Sequence, residues 1–452
     1  MEYYSLNNSD ITAPFSNALL ASLAPDNGLW MPKKLPLLSK DECAQLGAMS
    51  MADCAAELAT YFVDKEFDRG MLRDICRDAY NFPTPLKTLG GYELDPATPE
   101  LVGNSFMLEL FHGPTLAFKD YAARFMGRAA SHIMGSTGET RTILVATSGD
   151  TGGAIGDAFL NQPGINVFIL FPKDGVSAVQ EQQLSTIGGG NSNVHAIAVD
   201  GTFDQCQQLV KDAFADPELS AKHNLMSANS INVGRVIPQS FYYFWTSLQM
   251  KAAYGDIPLV YAIPSGNLGN LTGGLIARKM GAPISRFVIG NNINDPFVDY
   301  LASGNYVPRD SFPTLSNAMD IGRPNNFPRI TRLFDDNFDE IQKVCWGASF
   351  TDEDTERHMR RIYTDTGYIM CPHTAVGHLA MEAFAADIDI DFMKITVATA
   401  HPAKFQSSVE RILRTDIPLP EPLANCMRTR KVQHISPPAL DEVMNFVESK
   451  VT

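Results

Sequence analysis

Four short stretches hold most of the residues in this chain that could do chemistry. They are His112-Gly113-Pro114-Thr115-Leu116-Ala117-Phe118-Lys119, Thr147-Ser148-Gly149-Asp150-Thr151-Gly152-Gly153, Ser265-Gly266-Asn267-Leu268-Gly269-Asn270 and Thr399-Ala400-His401-Pro402. In the third, Gly266 and Gly269 follow an apolar, strand-like run and open a helical one. Such a loop turns several backbone N–H groups toward one point, where the helix dipole adds positive potential, so a phosphate is the expected occupant. A tight strand–helix turn without a ligand is the plain alternative. The loop is not a Walker A motif, because no Lys in the chain follows a Gly, and it lacks the full GxGxxG of a dinucleotide fold.

The second stretch sets hydroxyls and a carboxylate (Thr147, Ser148, Asp150, Thr151) among three glycines at another helix start. It suits an anion such as a carboxylate, and ordinary N-capping is its bland reading. Lys119 follows apolar Leu116-Ala117-Phe118 at the start of a helical pattern. There the dipole and an apolar setting both favour the neutral amine, the form that attacks a carbonyl to give a Schiff base. Most lysines near helix starts are simply solvated. Other constellations fail. His373 and His378 lie in a Gly-containing stretch with no Cys or carboxylate at ligand spacing, so zinc is not expected. There is no GxSxG elbow. The charges from Glu353 to Arg361 read as a solvated helix face.

These loops need elements to position them. Short apolar runs such as Thr142–Ala146, Ile165–Phe171, Val194–Val199, Leu259–Ile263 and Ile395–Ala398 alternate with helical patterns, including Asp120–Met134, closed by Gly135, and Thr202–Ala215. Near-continuous apolar strands between helices predict a parallel sheet covered on both faces, and ligands in such sheets bind beyond the carboxyl ends of the strands. Residues 1–100 differ. Helical spacing from Asp41 to Ala79, flanked by Pro32, Pro36, Pro83, Pro85, Pro96 and Pro99, predicts a small, mainly helical N-terminal unit, with 101–452 as the main region. The Pro-rich stretch from Asp295 to Pro328 reads as irregular structure or an insertion.

With 452 residues the chain is too long for one core, so two or three domains are expected. The formal charge of −15 and the lack of any Lys/Arg run argue against nucleic acid as a partner. No apolar stretch approaches the ~18–20 residues of a membrane span. The N-terminus lacks the basic-then-apolar order of a secretory signal. Seven dispersed cysteines without CxxC spacing read as reduced thiols, so the expectation is a cytoplasmic enzyme.

Read together and in order, the blocks resemble the threonine synthases. His112–Asp120 is similar to that family's cofactor-lysine motif. Thr147–Gly152, Ala228-Asn229-Ser230-Ile231-Asn232-Val233-Gly234-Arg235, Gly266–Asn270, Thr399–Phe405 and Leu23–Leu29 resemble further family blocks. The likeness runs from about residue 16 to 415, and it is to the longer, enterobacterial- and yeast-like branch. It implies an α/β, fold-type II pyridoxal phosphate enzyme, similar to tryptophan synthase β, with a smaller mobile subdomain at about 142–240. It also implies conversion of O-phospho-L-homoserine and water to L-threonine and phosphate, by a monomer or small homo-oligomer.

By the same resemblance, Lys119 would bind pyridoxal 5'-phosphate as a Schiff base and then carry protons. Gly266, Asn267, Leu268, Gly269 and Asn270 would grip the cofactor phosphate, and Thr399 would face the pyridine nitrogen. Thr147, Ser148, Asp150 and Thr151 would form the substrate-carboxylate loop, and Asn229, Ser230 and Arg235 would hold the substrate phosphate. Short-chain relatives usually carry Asn where this chain has Asp150. A carboxylate there would repel the substrate, so Asp150 is expected to turn away and accept loop N–H groups, as capping aspartates do. The alternatives are a phosphate-eliminating relative or serine/threonine dehydratase, and a silent cofactor-binding protein. Dehydratases generally have a shorter lysine motif and lack the Asn229-Ser230 and Arg235 set, and a silent protein would have lost Lys119 or the glycine loop.

Overall fold

In the computed structural model, the described residues are 1–91, 104–190 and 192–451. Pro96, Pro99 and the boundary expected near residue 100 lie outside them.

The N-terminal unit opens with an antiparallel sheet of β1 (Glu2–Ser5), β2 (Thr12–Pro14) and β3 (Trp30–Pro32) in the order β2-β1-β3. Four helices accompany it, Phe15–Ala21, Lys40–Gly47, Met51–Ala59 and Arg69–Ala79. The helical expectation therefore holds for 40–79, but the sheet before it was missed. Strands of three or four residues are too short to display an alternating pattern. Asp41 and Glu42 do occupy a first turn, where Ser39 and Glu42 form a capping box.

Two further sheets carry the rest. Strands β4 (Leu86–Thr88) and β5 (Ser105–Glu109) belong to the first. The chain then builds the second, from β6 (Arg141–Ala146), β7 (Ile165–Pro172), β8 (Val194–Val199) and β9 (Leu225–Met226). It returns for β10 (Leu259–Pro264), β11 (Arg286–Asn291), β12 (Cys345–Ser349) and β13 (Met393–Ala398), and β14 (His434–Ser436) closes the second sheet. The orders are β12-β11-β10-β13-β5-β4 and β14-β8-β7-β6-β9. Every pairing in them is parallel except β4 with β5. All six residues of β10 are buried, as a strand covered on both faces requires.

Three local expectations need correction. The helix after Lys119 runs Lys119–Thr137, beyond Gly135, and ends at Gly138, whose positive φ lets its N–H reach back to Met134. The 295–328 stretch contains a helix, Pro296–Ser303, and an ordered polar network in which Asn292, Asn294 and Thr314 converge on the Asp320 carboxylate. His373 and His378 sit on a helix, Pro372–Ala386, rather than in a loop, and a carboxylate does lie at ligand spacing: Glu382 gathers with His378 and His358, their ligand atoms within 4.8 Å of one another. All seven cysteines are free thiols. No described helix is long and apolar enough to cross a membrane.

The crossover order matters for function. Strands β5 and β13 are adjacent and in register, Glu109 opposite Ala398, so the segments leaving them continue side by side. Leu110 N–H donates to Ala398 O (3.0 Å), Ala117 bridges Ala400, and Phe118 N–H donates to Thr399 O (2.8 Å). Two loops 280 residues apart in sequence thus become one wall.

Candidate active site

Lys119 is the first residue of its helix, and the helix has no side-chain cap. The Phe118–Thr399 hydrogen bond places it beside Thr399. Its side chain is 16% exposed, and Nζ lies 4.0 Å from Asp150 Oδ2. Burial lowers its proton affinity. Asp150 opposes that shift, while the charges of Lys404 and Arg235 reinforce it. The apolar setting inferred from Leu116-Ala117-Phe118 is therefore real, although the nearby charges come from elsewhere in the chain.

Asp150 departs from its expected geometry. Its helix, Asp150–Phe159, is preceded by Gly149 and has no side-chain cap. The carboxylate accepts no loop N–H there; Oδ1 is held by Lys404 Nζ (2.9 Å) and Gln180 Nε2 (3.0 Å). Thr147 does the work expected of an Asx-type acceptor, its Oγ1 taking Gly149 N–H (3.0 Å) and Gly152 N–H (2.9 Å). Burial pushes the Asp150 carboxyl up, but Lys404 and Lys119 outweigh it and hold the group well below the usual carboxylate range. Ser148 and Thr151 lie half-buried in the same loop.

Gly149 has φ 137°, and a Cβ on it would stand 2.4 Å from Gln180 Nε2. Gly149→Ala should therefore destabilise the loop by about 1–3 kcal/mol and displace Gln180 from Asp150. A lowered melting temperature with a raised KM is the expected result. A variant melting with wild type would show that this backbone is not needed.

The Gly266 loop follows β10. Leu268 is left-handed (φ 60°), and the helix Gly269–Lys279 starts with no side-chain cap, so its first N–H groups are open to an anion. Asn326 clamps the loop from the 295–328 stretch, donating from Nδ2 to Asn267 O (2.9 Å). A Cβ on Gly266 would lie 3.0 Å from Met319 Cα, so only glycine lets these segments close up. Asn270 accepts from Tyr242 (2.8 Å) and Tyr243 (2.7 Å) through Oδ1, and its buried Nδ2 has no partner among the described residues.

Asn229 and Ser230 are half-buried on the approach to the Val233–Val236 turn that carries Arg235. Ser230 adjoins the glycine loop: a Cβ built on Gly269 would be 3.6 Å from Ser230 Cβ. Arg235 is 5% exposed, donates from Nη1 to Ala228 O, and leaves its buried Nε without a partner among the described residues. Burial lowers its pKa to about 10, which leaves it charged at neutral pH. The loops of the two sheets thus meet here: Lys119 lies beside Thr399 and Asp150, Ser230 beside the Gly269 loop, and Arg235 near enough to Lys119 for its charge to act on it.

Comparison with known proteins fits this arrangement. A family described as pyridoxal-phosphate dependent enzyme matches residues 79–397, threonine synthase N terminus matches 2–80, and threonine synthase C-terminal matches 374–447. The threonine synthase of Haemophilus influenzae is 40% identical over 423 residues, covering 94% of each chain.

The chain belongs to the threonine synthase family.

The crystal structure of threonine synthase from Escherichia coli superposes with a TM-score of 0.88 at 36% identity, covering 99% of this chain and 100% of that one. The pyridoxal-phosphate-bound threonine synthase from Brucella melitensis gives 0.91 at 32% identity, covering 100% and 99%. This threonine synthase family member is accordingly a pyridoxal-phosphate-dependent lyase of threonine biosynthesis, with the α/β fold of the fold-type II enzymes. The residues present suit that cofactor. A poised amine, an uncapped helix N-terminus and the orphaned Asn270 Nδ2 are what an aldehyde-bearing phosphate ester needs.

Sequence reasoning missed several residues of this site. Lys404 is wholly buried, though it stood in a quoted block between apolar Ala403 and Phe405, which was the available signal. His373 accepts Ala318 N–H at Nε2 (3.1 Å), leaving Nδ1 buried without a partner among the described residues, and burial keeps it neutral, with its pKa down to about 4. Arg329 is fully buried, and all five of its N–H groups are used, on Trp30 O, Ser230 O, Ile231 O and Asn326 Oδ1. It ties the N-terminal unit to both the Asn229-Ser230 segment and the residue that clamps Asn267.

Proposed function

We propose that this threonine synthase family member converts O-phospho-L-homoserine and water to L-threonine and inorganic phosphate. One observation carries the substrate: two anion seats adjoin beside one poised lysine. The first is the uncapped Gly269 helix with Asn270 Nδ2, and the second is Arg235 with its unused donors. A cofactor with one phosphate fills the first and leaves the second for a phosphorylated substrate. A serine or threonine dehydratase would have no use for it.

In this reading Gly266, Asn267, Leu268, Gly269 and Asn270 hold the cofactor phosphate, and Thr399 faces its pyridine nitrogen. When bound, the cofactor supplies the electron sink that makes carbanions at Cα and Cβ accessible. Lys119 removes the Cα proton and then a Cβ proton. Thr147, Ser148 and Thr151, with the loop N–H groups, hold the substrate carboxylate, so that the Cα–H bond faces Lys119. Arg235, Asn229 and Ser230 bear the γ-phosphate as it leaves with the C–O electron pair, which lowers the cost of the developing charge. Lys119 returns one proton to Cγ, which becomes the methyl group. Water then adds its hydroxyl at Cβ, its other proton going to the released phosphate, and Lys119 returns the second proton to Cα. Residues 1–100 serve as an N-terminal domain buttressing this site, with about 142–240 as the part that moves.

Purified protein supplied with pyridoxal phosphate and O-phospho-L-homoserine should release threonine and phosphate in equal amounts. Formation of 2-oxobutyrate in place of threonine would assign it to the eliminating relatives. No reaction with this substrate, but turnover of unphosphorylated serine or threonine, would overturn the reading.

A further inference from the structure

Lys404 sits in the single turn Pro402–Phe405 after β13, with 0% of its side chain exposed. Its Nζ contacts three acceptors: Thr115 O (2.7 Å), Asp150 Oδ1 (2.9 Å) and Gln183 Oε1 (3.1 Å). Three acceptors match the three N–H bonds of an ammonium, so this lysine has no donor or lone pair left for substrate or cofactor. The same carboxylate oxygen also takes Gln180 Nε2 (3.0 Å), which leaves Oδ2 turned to Lys119 Nζ at 4.0 Å. Asp150 is therefore gripped on one side and presented on the other. The grip draws on three separate segments: the turn after β13, the Ala178–Thr186 helix that carries Gln180 and Gln183, and the loop that carries Thr115.

We propose that Lys404 is a positioning residue: it fixes Asp150 as a permanent carboxylate facing Lys119, and through Asp150 sets the charge balance in which the Lys119 amine carries protons.

A buried carboxyl without a counter-charge takes up a proton well above its solution pKa, because burial penalises the anion. The groups around Asp150 bear this out. Burial alone pushes it up, and Lys404 is the largest influence in the other direction, ahead of Lys119 and His373. His373 is neutral and Cys371 is a buried thiol pushed up by burial, so neither supplies a fixed positive charge. Around Lys119 the remaining charges are Arg235, on the Val233–Val236 turn, and Asp120, on its own helix. Asp120 is itself raised to about 6 by burial and is occupied by the Thr115 hydroxyl and N–H. Among the described residues Asp150 is thus the carboxylate that both faces Lys119 and is held ionised, and Lys404 is the largest influence holding it so. Without Lys404, Asp150 would lose the largest influence that keeps it ionised and would take up a proton at a higher pH, so Lys119 would face a field that changes with pH.

The inference rests on Lys119 being the cofactor lysine, and the test separates the two. Holoenzymes of wild type, Lys404→Gln, Lys404→Met and Lys404→Gln/Asp150→Asn would first be reduced with borohydride and mapped. Modification at Lys119 in all four confirms that reading, and modification elsewhere defeats it independently. The visible absorbance of the bound cofactor is then titrated against pH, beside kcat and KM. Lys404→Gln keeps a polar side chain in the cavity, so it remains informative should Lys404→Met fold poorly. Both single variants should show a new acid-side transition, above about pH 5, that wild type lacks. Their kcat should fall by up to about tenfold for each pH unit below it, the limit for one titrating group, with KM changed far less. The transition should disappear in the double variant, where Asp150 can no longer titrate. Titration curves that overlay wild type, with only the melting temperature lowered, would reduce Lys404 to a structural staple and overturn the proposal. A transition that persists in the double variant would overturn it too, because another group would be titrating.

Discussion

Lys119→Ala is expected to lower turnover by at least about a thousandfold, the scale of losing an essential acid–base group, while the protein still folds. Two lysines compete for the cofactor role, and the structure separates them. Lys404 has all three donors engaged with protein acceptors. Lys119 Nζ has only the looser 4.0 Å approach of Asp150 and the Phe118 ring at 5.2 Å among its described contacts. An amine must be neutral and unencumbered to attack an aldehyde; burial moves Lys119 toward the neutral form, and of these two lysines it is the one whose donors are not taken up by close acceptors among the described residues. Alanine is a good helix former, so the first position of the Lys119–Thr137 helix should tolerate it. The check is borohydride fixation followed by peptide mapping, with circular dichroism as the fold control. Wild type should carry the cofactor on the peptide containing Lys119, and the variant should carry none. Modification of Lys173 or Lys279 would sink the assignment.

Arg235→Lys should raise KM for O-phospho-L-homoserine and lower kcat/KM by roughly 10–150-fold, equivalent to about 1.5–3 kcal/mol for a lost charged hydrogen bond. Cofactor content should stay the same. The guanidinium is buried, yet its Nε has no partner among the described residues. Holding a charge in that state is costly unless a ligand repays it, and a phosphate fits the planar fork. Lysine keeps the charge but not the fork. Other cations are poorly placed to substitute. Arg329 has every donor committed to protein oxygens, and Arg323 is 71% exposed and drawn toward Asp310. Steady-state kinetics with phosphohomoserine, beside absorbance of the bound cofactor, decide the matter. Unchanged KM and kcat would mean that some other group carries the substrate phosphate.

The strand-to-helix transitions that carry the candidate site loops were legible in the sequence. Lys119, the Thr147–Gly152 stretch and Gly266–Asn270 each lie where a strand pattern gives way to a helical one, and that transition is local. Apolar run, glycines, polar residues and helix start all fall within a dozen residues, so the anion-binding geometry follows from covalent neighbours and the helix dipole. The parallel sheets were legible for the same reason, because burial on both faces leaves an unbroken apolar run. The short N-terminal strands were not, since their partners lie across turns and three residues carry no period. What only the tertiary structure decided is the company those loops keep. Asp150 looked like a helix cap when seen beside Gly149 and Thr151. It became the partner of Lys404 because β13 lies next to β5, and the segments that follow bring Pro402–Phe405 onto Thr115. Arg329 similarly joins Trp30 to Ser230 and Ile231. Coulomb energy and desolvation depend on distance in space, and separation along the chain carries no trace of them. Charges hundreds of residues apart therefore set the protonation of groups whose identities were plain from the start.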